Sequence, residues 1–173
     1  MSLRRNDLED FCAGEYPRLV GALTLYCGTR ATAEELAQEA LIRVCQHWER
    51  VRGLQNPGAW AHRVAMNLAS SHLRRVAAER RARGRLATLA ESQRSAYEVE
   101  EASVERVRSA ITALPRRQRR ALILRYYIGL SVAEVAAEMN CPEGTVKRLT
   151  HEATKALRRD VPRIALWEAS NGV

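Results

Sequence analysis

The sequence predicts an all-α protein built from two small helical domains joined by a flexible linker. Apolar residues recur at helical spacing in almost every segment, and no stretch alternates with the period of two that is typical of a β-strand. With 173 residues, 46% of them hydrophobic, the chain is long enough for two modest cores. The predicted domains are residues 1–81 and 104–162, with the linker at 82–103 and a C-terminal tail at 163–173.

Basic residues are concentrated in two blocks of the sequence. The formal net charge is +8, and residues 63–85 and 105–160 each carry a net charge of +6, whereas residues 86–104 carry −3. Two basic blocks on either side of an acidic stretch favour two surfaces that face a polyanion such as nucleic acid. Solvated helix faces are the alternative explanation.

Composition argues against several classes of protein. The sequence contains no 18-residue apolar stretch and no apolar core of a secretory signal, so we expect a cytoplasmic protein without membrane insertion. No nucleophile–base pair, Gly-rich phosphate loop or metal constellation indicates an enzyme or a cofactor. The cysteines form no CxxC pair and are expected to be buried free thiols; they are Cys12, Cys27, Cys45 and Cys141.

Helix starts in the first domain are marked by capping residues. Thr32 and Glu35 match the T-x-x-E capping box. Asn56 followed by Pro57 predicts an N-cap and the first position of a helix over residues 58–76. The chain before this helix, residues 52–57, is a polar loop with a flexible glycine, suited to hold an unstacked base.

The helix over residues 58–76 is predicted to have two distinct faces. An apolar line formed by Trp60, Val64 and Leu68 is expected to enter the core. Another face carries a polar stripe, which consists of Arg63, Asn67, Ser70 and Arg74. Arginine and asparagine on one face suit phosphate contact and hydrogen bonding to base edges. A solvated polar face is the alternative.

An acidic surface is predicted on the helix over residues 34–46. Glu35 and Glu39 lie four residues apart with Gln38 beside them, and like charges at this spacing are destabilising. A basic partner would offset the repulsion. The alternative is that the acids interact favourably with the positive N-terminal end of the helix dipole.

Residues 131–150 predict a helix-turn-helix. Ser131 and Glu134 form a capping box for a helix over 132–139, and Asn140 lies where the turn needs a left-handed residue. The next helix is apolar on one side and basic on the other, where Lys147, Arg148, His151, Lys155 and Arg158 project. Such a helix after a tight turn has the geometry that enters a major groove. An ordinary helical hairpin remains the alternative.

The segment 116–128, just before the helix-turn-helix, is rich in apolar residues. From Leu122 to Ile128 it offers more apolar surface than one helix face can bury in a small domain. Core packing is the first explanation, and a protein-docking patch that includes Tyr126 and Tyr127 is the second.

Two segments resemble regions of a known family. AEELAQEALIRVCQHWERVRGLQNPGAWAHRVAMNLASSHLRR resembles region 2 of the extracytoplasmic-function (ECF) sigma factors of bacterial RNA polymerase, and ALPRRQRRALILRYYIGLSVAEVAAEMNCPEGTVK resembles their region 4. Order, spacing and length are similar over residues 10–160. The resemblance implies an alternative sigma factor that binds core polymerase and directs promoter-specific initiation, while the polymerase performs the chemistry.

The resemblance implies a partner for each surface. The helix over 34–46 would dock on the polymerase clamp and the segment 116–128 on the flap; the implied polymerase-binding residues are Glu35, Gln38, Glu39, Arg43, Tyr126 and Tyr127. The acidic linker would thread toward the active-site channel and the RNA exit path. An anti-sigma factor is a further candidate partner, although nothing in the sequence identifies one.

Promoter DNA is the second implied partner. The 52–57 loop and the polar stripe would read and open the −10 element, through Gln55, Asn56, Trp60, Arg63, Asn67, Ser70 and Arg74. The helix over 142–155 would read the −35 element in the major groove, through Glu143, Thr145, Lys147, Arg148, His151 and Lys155.

The sequence departs from the family pattern at several positions. Arg148-Leu149-Thr150 stands where Ser-Arg-Leu is usual, and Glu152 and Thr154 stand where arginine is frequent, so the −35 preference of relatives is not transferred. Ser71 stands where aspartate is common. Two other functions stay open from sequence: a regulator that binds operators without polymerase, and a sigma-like protein that sequesters a partner.

Overall fold

A computed structural model describes residues 2–83 and 101–160 of the chain, and this part is helical with short connections. The first half contains four helices: α1 (Ser2–Cys27), α2 (Arg30–Gln46), the short α3 (Trp48–Val51) and α4 (Pro57–Arg83). The second half contains α5 (Glu101–Ala113), α6 (Arg116–Leu122), a π-helical segment (Ile123–Tyr127), α7 (Val132–Met139) and α8 (Glu143–Asp160). The all-α prediction is confirmed. The predicted tail and most of the predicted linker lie outside the described residues.

Helices α1, α2 and α4 pack closely because their buried faces carry small residues. The alanines at the contacts are almost fully buried: Ala33, Ala37 and Ala40 on α2, and Ala61, Ala65 and Ala69 on α4. The predicted apolar line of α4, formed by Trp60, Val64 and Leu68, is partly buried and packs against the buried clusters. Close helix approach requires small side chains at the centre of the contact, and the bulky ones pack at its margin.

Two of the three predicted helix starts are correct. The side-chain Oδ1 of Asn56 accepts a hydrogen bond of 2.9 Å from the Ala59 backbone N–H, at the start of α4. The capping box predicted at Thr32 is wrong, because α2 already begins at Arg30, after Thr29. Thr32 lies inside the first turn, where its hydroxyl oxygen accepts a hydrogen bond from the Thr29 hydroxyl.

The helix-turn-helix forms as predicted. The Ser131 N–H donates to Glu134 Oε2 at 2.7 Å, and the Glu134 N–H donates to Ser131 Oγ at 3.2 Å. Hydrogen bonding of the Glu134 carboxylate to the Ser131 backbone N–H, and to the Ser131 side chain, lowers the pKa of Glu134. Asn140 ends α7 in the left-handed region, with φ 47° and ψ 58°. Helix α8 then buries the predicted apolar side, which includes Val146, Leu149, Ala153 and Leu157.

The four thiols are free, but the prediction that they are buried is wrong. Cys45 is exposed, and Cys12, Cys27 and Cys141 are partly exposed. In the described ranges, no cluster of three or more potential ligand side chains could hold a metal ion. None of the described helices combines the length and apolar character needed to cross a membrane.

The two halves of the chain pack against each other through a shared apolar cluster. Leu19, Leu23 and Met66 of the first half lie in the same buried cluster as Ile123 and Leu124 of the second. Gly21 of α1 lies close to this contact, and a Cβ built on it would overlap the hydroxyl group of Tyr127 unless that side chain moved.

Arg119 ties the same contact together with hydrogen bonds. Its guanidinium donates to the backbone carbonyl of Tyr26 in α1 at 2.7 Å, and to the carbonyls of Thr112 and Leu114 at the end of α5. A single arginine therefore links the C-terminal end of α1 to two elements of the second half.

A buried histidine–glutamate pair lies between α1 and α4. His62 is 2% exposed, and its Nε2 lies 3.2 Å from Glu15 Oε2. Glu15 also pairs with Arg18 at 2.7 Å. Burial lowers the pKa of His62, and the nearby Glu15 carboxylate opposes this effect only in part. The native protein therefore holds this imidazole neutral in a range where the unfolded chain protonates it.

Acidification below pH ~6.5, the ordinary pKa of histidine, is expected to destabilise the fold through His62. Because the unfolded state binds more protons there, the free energy of unfolding falls as the pH falls, by at most ~1.4 kcal/mol per pH unit for one group. Urea unfolding between pH 7.5 and 5.5 measures this slope. His62→Gln should make this slope shallower; equal slopes for the variant and the native protein would contradict the assignment.

Candidate nucleic-acid interface

The basic side of α8 is open to solvent. Lys147, Arg148, His151 and Lys155 are all exposed, while Thr145 at the start of the helix is partly buried. They project from a helix whose opposite side is fixed in the core, so the positions of their backbone atoms are rigid. The prediction of a basic outer face is confirmed as geometry, and the −35 contacts assigned to it stay predictions.

Glu152 modifies the charge of this surface. Its Oε1 pairs with Arg148 Nη1 at 2.9 Å, and its Oε2 accepts a hydrogen bond of 2.9 Å from the Gln118 side chain of α6. Arg148 is thus partly neutralised in the free chain. At the N-terminal end, the exposed carboxylate of Glu143 lies in the first turn of α8, where the helix dipole stabilises it.

The polar stripe of α4 does not face open solvent along its whole length. Asn67 and Arg74 are exposed, whereas Arg63 and Ser70 are partly buried. Arg74 donates to Ser71 Oγ at 3.1 Å. The other three stripe residues contact side chains of the second half, which the sequence analysis did not foresee.

These contacts form a polar group that we call the clasp, consisting of Arg63, Asn67 and Ser70 on α4 with Arg120 on α6 and Glu138 on α7. Arg120 donates to Asn67 Oδ1 at 2.7 Å and to Ser70 Oγ at 3.0 Å. Its Nη2 also pairs with Glu138 Oε1 at 2.9 Å. Arg63 Nε lies 2.6 Å from the other carboxylate oxygen, Oε2, of Glu138.

Glu138 is the most enclosed charge of the clasp. Its side chain is 4% exposed, compared with 16% for Arg120 and 43% for Arg63. Burial raises the pKa of Glu138, while Arg120 and Arg63 act in the opposite direction. A buried carboxylate is tolerable when it is paired and hydrogen-bonded; here Arg120 and the Asn67 amide form hydrogen bonds to Glu138, and Arg63 lies within ion-pair distance.

The loop before α4 is exposed and adjoins a shallow groove. Gln55 and Asn56 are exposed, and Asn56 is also the cap of α4. The groove beside the loop has a volume of about 560 Å³. It is lined by Asp7, Asp10, Phe11, Trp48, Arg52 and Pro57. Aromatic, acidic and basic side chains are therefore available next to the loop that was predicted to hold a base.

Trp60 belongs to the packing around this loop. It is partly buried, and its ring meets that of His47 edge-on at 6.2 Å between centroids. Trp48, which follows His47 in the chain, packs on Phe11 with ring centroids 5.1 Å apart. The Trp48 Nε1 is buried without a hydrogen-bond partner among the described residues. Trp60 thus supports the loop, and its predicted contact with DNA stays a prediction.

The predicted polymerase-binding side chains of α2 lie on one exposed face. Glu35, Gln38, Glu39 and Arg43 are exposed, with Glu39 and Arg43 paired at 2.8 Å. The same face carries Ile42, which is 56% exposed and which the sequence analysis missed. The sequence could have indicated this exposure, because Ile42 lies three residues after Glu39 on the outer face of the predicted helix. An apolar side chain on that face cannot pack in the core.

The two predicted tyrosines of the second half have different environments. Tyr126 is 59% exposed, with the Arg125 guanidinium 5.9 Å from its ring centroid. Tyr127 is 43% exposed, and its hydroxyl group lies against Gly21 of α1. Tyr126 is thus available to a partner in this arrangement, whereas Tyr127 is partly used by the contact between the halves.

Comparison with protein families identifies both halves. The profile described as "Sigma-70 region 2" matches residues 13–79, and the profile described as "Sigma-70, region 4" matches residues 104–157. Together the two profiles cover most of the chain. The first half of the structure corresponds to the former and the second half to the latter.

Individual relatives of this chain are also sigma factors. The ECF RNA polymerase sigma factor SigL of Mycobacterium tuberculosis is 33% identical over 134 residues, covering 76% of this chain and 75% of that protein. The RNA polymerase sigma-H factor of Pseudomonas aeruginosa is 29% identical over 153 residues, covering 81% of this chain and 78% of that protein.

A solved structure shares the fold. It is that of the sigma factor RpoE in complex with the anti-sigma factor NepR from Bartonella quintana. The TM-score is 0.73 at 21% identity, over 90% of this chain and 97% of the other.

Replacing Lys147 and Arg148 with alanine is expected to weaken binding to duplex DNA and to flatten its salt dependence. Each lost phosphate contact should reduce the slope of log K against log salt by ~0.9. Lys147→Ala should have the larger effect, because Arg148 already pairs with Glu152. Fluorescence anisotropy between 50 and 200 mM salt measures both the affinity for duplex DNA and its salt dependence. Replacement of the exposed Arg106 on α5 with alanine is the control. Unchanged slopes in both variants would contradict the assignment of α8.

Proposed function

The chain belongs to the sigma-70 family, within its ECF group, and directs promoter-specific initiation by bacterial RNA polymerase; on this premise we propose how its surfaces divide the work. The α4 stripe and the 52–57 loop open the −10 element, α8 reads the −35 element, and α2 docks on the polymerase clamp. The single observation that supports this division is that two different helices, one in each half, carry separate polar surfaces suited to DNA. The protein is not an enzyme, because the polymerase forms the bonds.

For the −35 element, the relevant property of α8 is a rigid basic face at the end of a helix-turn-helix. Insertion of such a helix into the major groove places side chains against base edges, and flanking basic groups contact phosphates. Glu143 and Thr145 lie at the N-terminal end, where base contacts are usually made. Glu152 neutralises part of this face, so we expect a preference that differs from relatives with arginine there.

For the −10 element, the task is to stabilise separated strands. Opening a duplex breaks stacking at a cost of ~1.4 kcal/mol per step, and capture of an extruded base offsets part of that cost. Asn67 is suited to hydrogen-bond a base edge and Arg63 to contact a phosphate. The groove beside the loop, with Phe11 and Trp48 in its lining, offers a place for an unstacked base.

For the polymerase, the proposed contacts are an acidic face on α2 and an aromatic surface on the second half. Glu35, Gln38 and Glu39 present acids and an amide, and Ile42 adds an apolar centre of the kind that anchors protein interfaces. Tyr126 is the exposed aromatic residue that we assign to the flap. We place the protein in the cytoplasm, where the polymerase works.

The proposed domain limits are those expected from sequence: residues 1–81 for the clamp and −10 element, and residues 104–162 for the −35 element. A linker at 82–103 and a tail at 163–173 complete the division. An anti-sigma factor is a further proposed partner, since the sigma factor RpoE of similar fold was solved in complex with one. Co-purification from the host tests this, because polymerase subunits and an inhibitor would appear together.

Run-off transcription with purified core polymerase tests the function directly. The templates are genomic fragments, including the region upstream of the protein's own gene. We expect discrete products that require both the protein and one class of promoter. If no fragment gives a product that depends on this protein, the assignment of promoter-directed initiation is wrong.

Asn67→Ala and Gln55→Ala are expected to impair strand opening in the holoenzyme while sparing duplex binding by the isolated chain. The reason is that a good base contact contributes ~1–3 kcal/mol, and these residues are proposed to act on unpaired strands. Permanganate reactivity of unpaired thymines reports opening, and it should fall about tenfold or more.

The two variants form a matched pair, since Gln55 lies outside the clasp and Asn67 lies within it. A common loss of opening therefore reports contact with DNA and not a change in the clasp. Equal effects of these variants and of Lys147→Ala on both duplex binding and opening would show that the division of labour is incorrect.

A further inference from the structure

Two of the four cysteines lie on helices that pack against each other. Helices α1 and α2 form an antiparallel hairpin, because only a short turn separates Cys27, the last residue of α1, from Arg30, the first residue of α2. Cys12 and Cys45 lie the same number of residues from these two helix ends. Since the rise per residue is the same in both helices, the two cysteines lie at the same level of the hairpin.

Contacts of the neighbouring residues agree with this register. Phe11, which precedes Cys12, packs on Trp48, which lies just after α2, with ring centroids 5.1 Å apart. Phe11 also packs against the buried cluster that contains Val44, the residue before Cys45. The first turns of α1 therefore lie along the end of α2, at the level where both thiols are found.

The two thiols interact at the rim of this helix contact. Burial raises the pKa of Cys12 to about 11, and repulsion from Cys45 and a hydrogen bond with the Cys45 side chain add to the rise. Both of these effects require sulfur atoms that are close in space. Cys45 is exposed and Cys12 is partly exposed, so a small reagent can reach the pair from solvent.

We propose that Cys12 and Cys45 form a reversible redox site, at which a hydroperoxide converts the two thiols into a disulfide that links α1 to α2. The exposed Cys45 is the thiol that the peroxide oxidises, and Cys12 is the thiol that completes the bond. In the cytoplasm, where we place this protein, disulfides are mostly transient and redox-sensing. An exposed thiol beside a second one is the arrangement that such sites use.

The oxidation takes place in two steps. The Cys45 thiolate attacks one peroxide oxygen, so that an S–O bond forms and the O–O bond breaks, and the leaving alkoxide or hydroxide takes up the proton that the thiol had lost. The Cys12 sulfur then attacks the sulfur of this sulfenic acid, and an S–S bond replaces the S–O bond. The leaving hydroxide takes the Cys12 proton and becomes water. In total the two thiols lose two electrons and two protons, and the peroxide is reduced.

Cys45 also lies at the edge of the face of α2 that we assign to the polymerase clamp. It follows Ile42 by three residues and Gln38 by seven, and all three side chains are exposed. This spacing places them on one side of the helix. If the proposed function is correct, bound polymerase covers this edge and slows the oxidation of Cys45, so the free chain is the form that is oxidised.

The first experiment treats the full-length protein with hydrogen peroxide and maps its disulfides by mass spectrometry after digestion with trypsin. Arginines between Cys12 and Cys45 place the two in separate tryptic peptides, which only a disulfide holds together. We expect this linked pair of peptides to be the main oxidised product and to disappear after addition of dithiothreitol. Cys27 at the far end of α1 and Cys141 in the turn before α8 are the internal controls and should remain free thiols.

Serine variants identify the two thiols. Cys12→Ser and Cys45→Ser should each abolish the linked peptides, and in Cys12→Ser the sulfenic acid of Cys45 should advance to sulfinic acid. Cys141→Ser is the matched control, because it removes a partly exposed thiol from the other half of the chain and should leave the link unchanged. Circular dichroism confirms that each variant is folded. A native chain in which Cys45 stays reduced, is oxidised alone or pairs with another cysteine would overturn the proposal.

The second experiment compares the thermal unfolding of the linked and the reduced protein. A disulfide between Cys12 and Cys45 closes a loop around the turn of the hairpin and restricts the unfolded chain. If the native positions of the two thiols suit the bond, Tm should rise by about 5 °C or more and return after reduction, whereas peroxide-treated Cys12→Ser should show no rise. A lower Tm of the linked protein would show that the bond forces the helices from their native positions, and it would overturn the proposal.

A third measurement separates the redox site from the proposed function. Core polymerase should slow formation of the link in proportion to the fraction of the chain that is bound, and serum albumin at the same concentration is the control for peroxide consumption. A link that forms equally fast in the presence of polymerase would contradict the docking face on α2, while the redox site would stand. Absence of the link in the free chain would overturn the redox site and leave the docking face unaffected.

Discussion

The pairing of one buried carboxylate, Glu138, with guanidinium groups from both halves constrains the whole arrangement. Glu138 is 4% exposed, and a charge so enclosed requires both Arg63 and Arg120. Arg63 comes from α4 and Arg120 from α6, so the carboxylate is paired with both guanidinium groups only when the two halves are together.

The apolar part of the contact makes that arrangement specific. Ile123 and Leu124 enter the same cluster as Leu19 and Leu23, and the absence of a side chain at Gly21 allows Tyr127 to approach α1. Burial of apolar surface supplies attraction without direction, whereas the clasp fixes which faces meet. Contacts of this mixed character inside a chain resemble transient interfaces between proteins.

Local signals in the sequence predicted local structure well, and they could not predict the contact between the halves. The Ser131–Glu134 capping box and the left-handed Asn140 are decided by neighbours in the chain, so the first helix and the turn of the helix-turn-helix were correct to the residue. The apolar line of α4 packs against the buried clusters, but the sequence did not indicate that the alanines beside it are more deeply buried, because the choice between alanines and larger residues depends on how closely α1 and α2 approach. Arg120 and Glu138 carried no periodic or motif signal that links them to Asn67, 53 residues away from Arg120 in the chain.

The positive net charge of the chain has a functional consequence. A chain with a formal net charge of +8 meets nucleic acid everywhere in a cell, and such binding is mostly electrostatic and independent of sequence. In this structure the basic face of α8 is exposed, whereas Arg63 and Ser70 of the stripe contact side chains of the second half. Because the two proposed reading surfaces lie on one chain, binding of either raises the effective concentration of the other at its own promoter element.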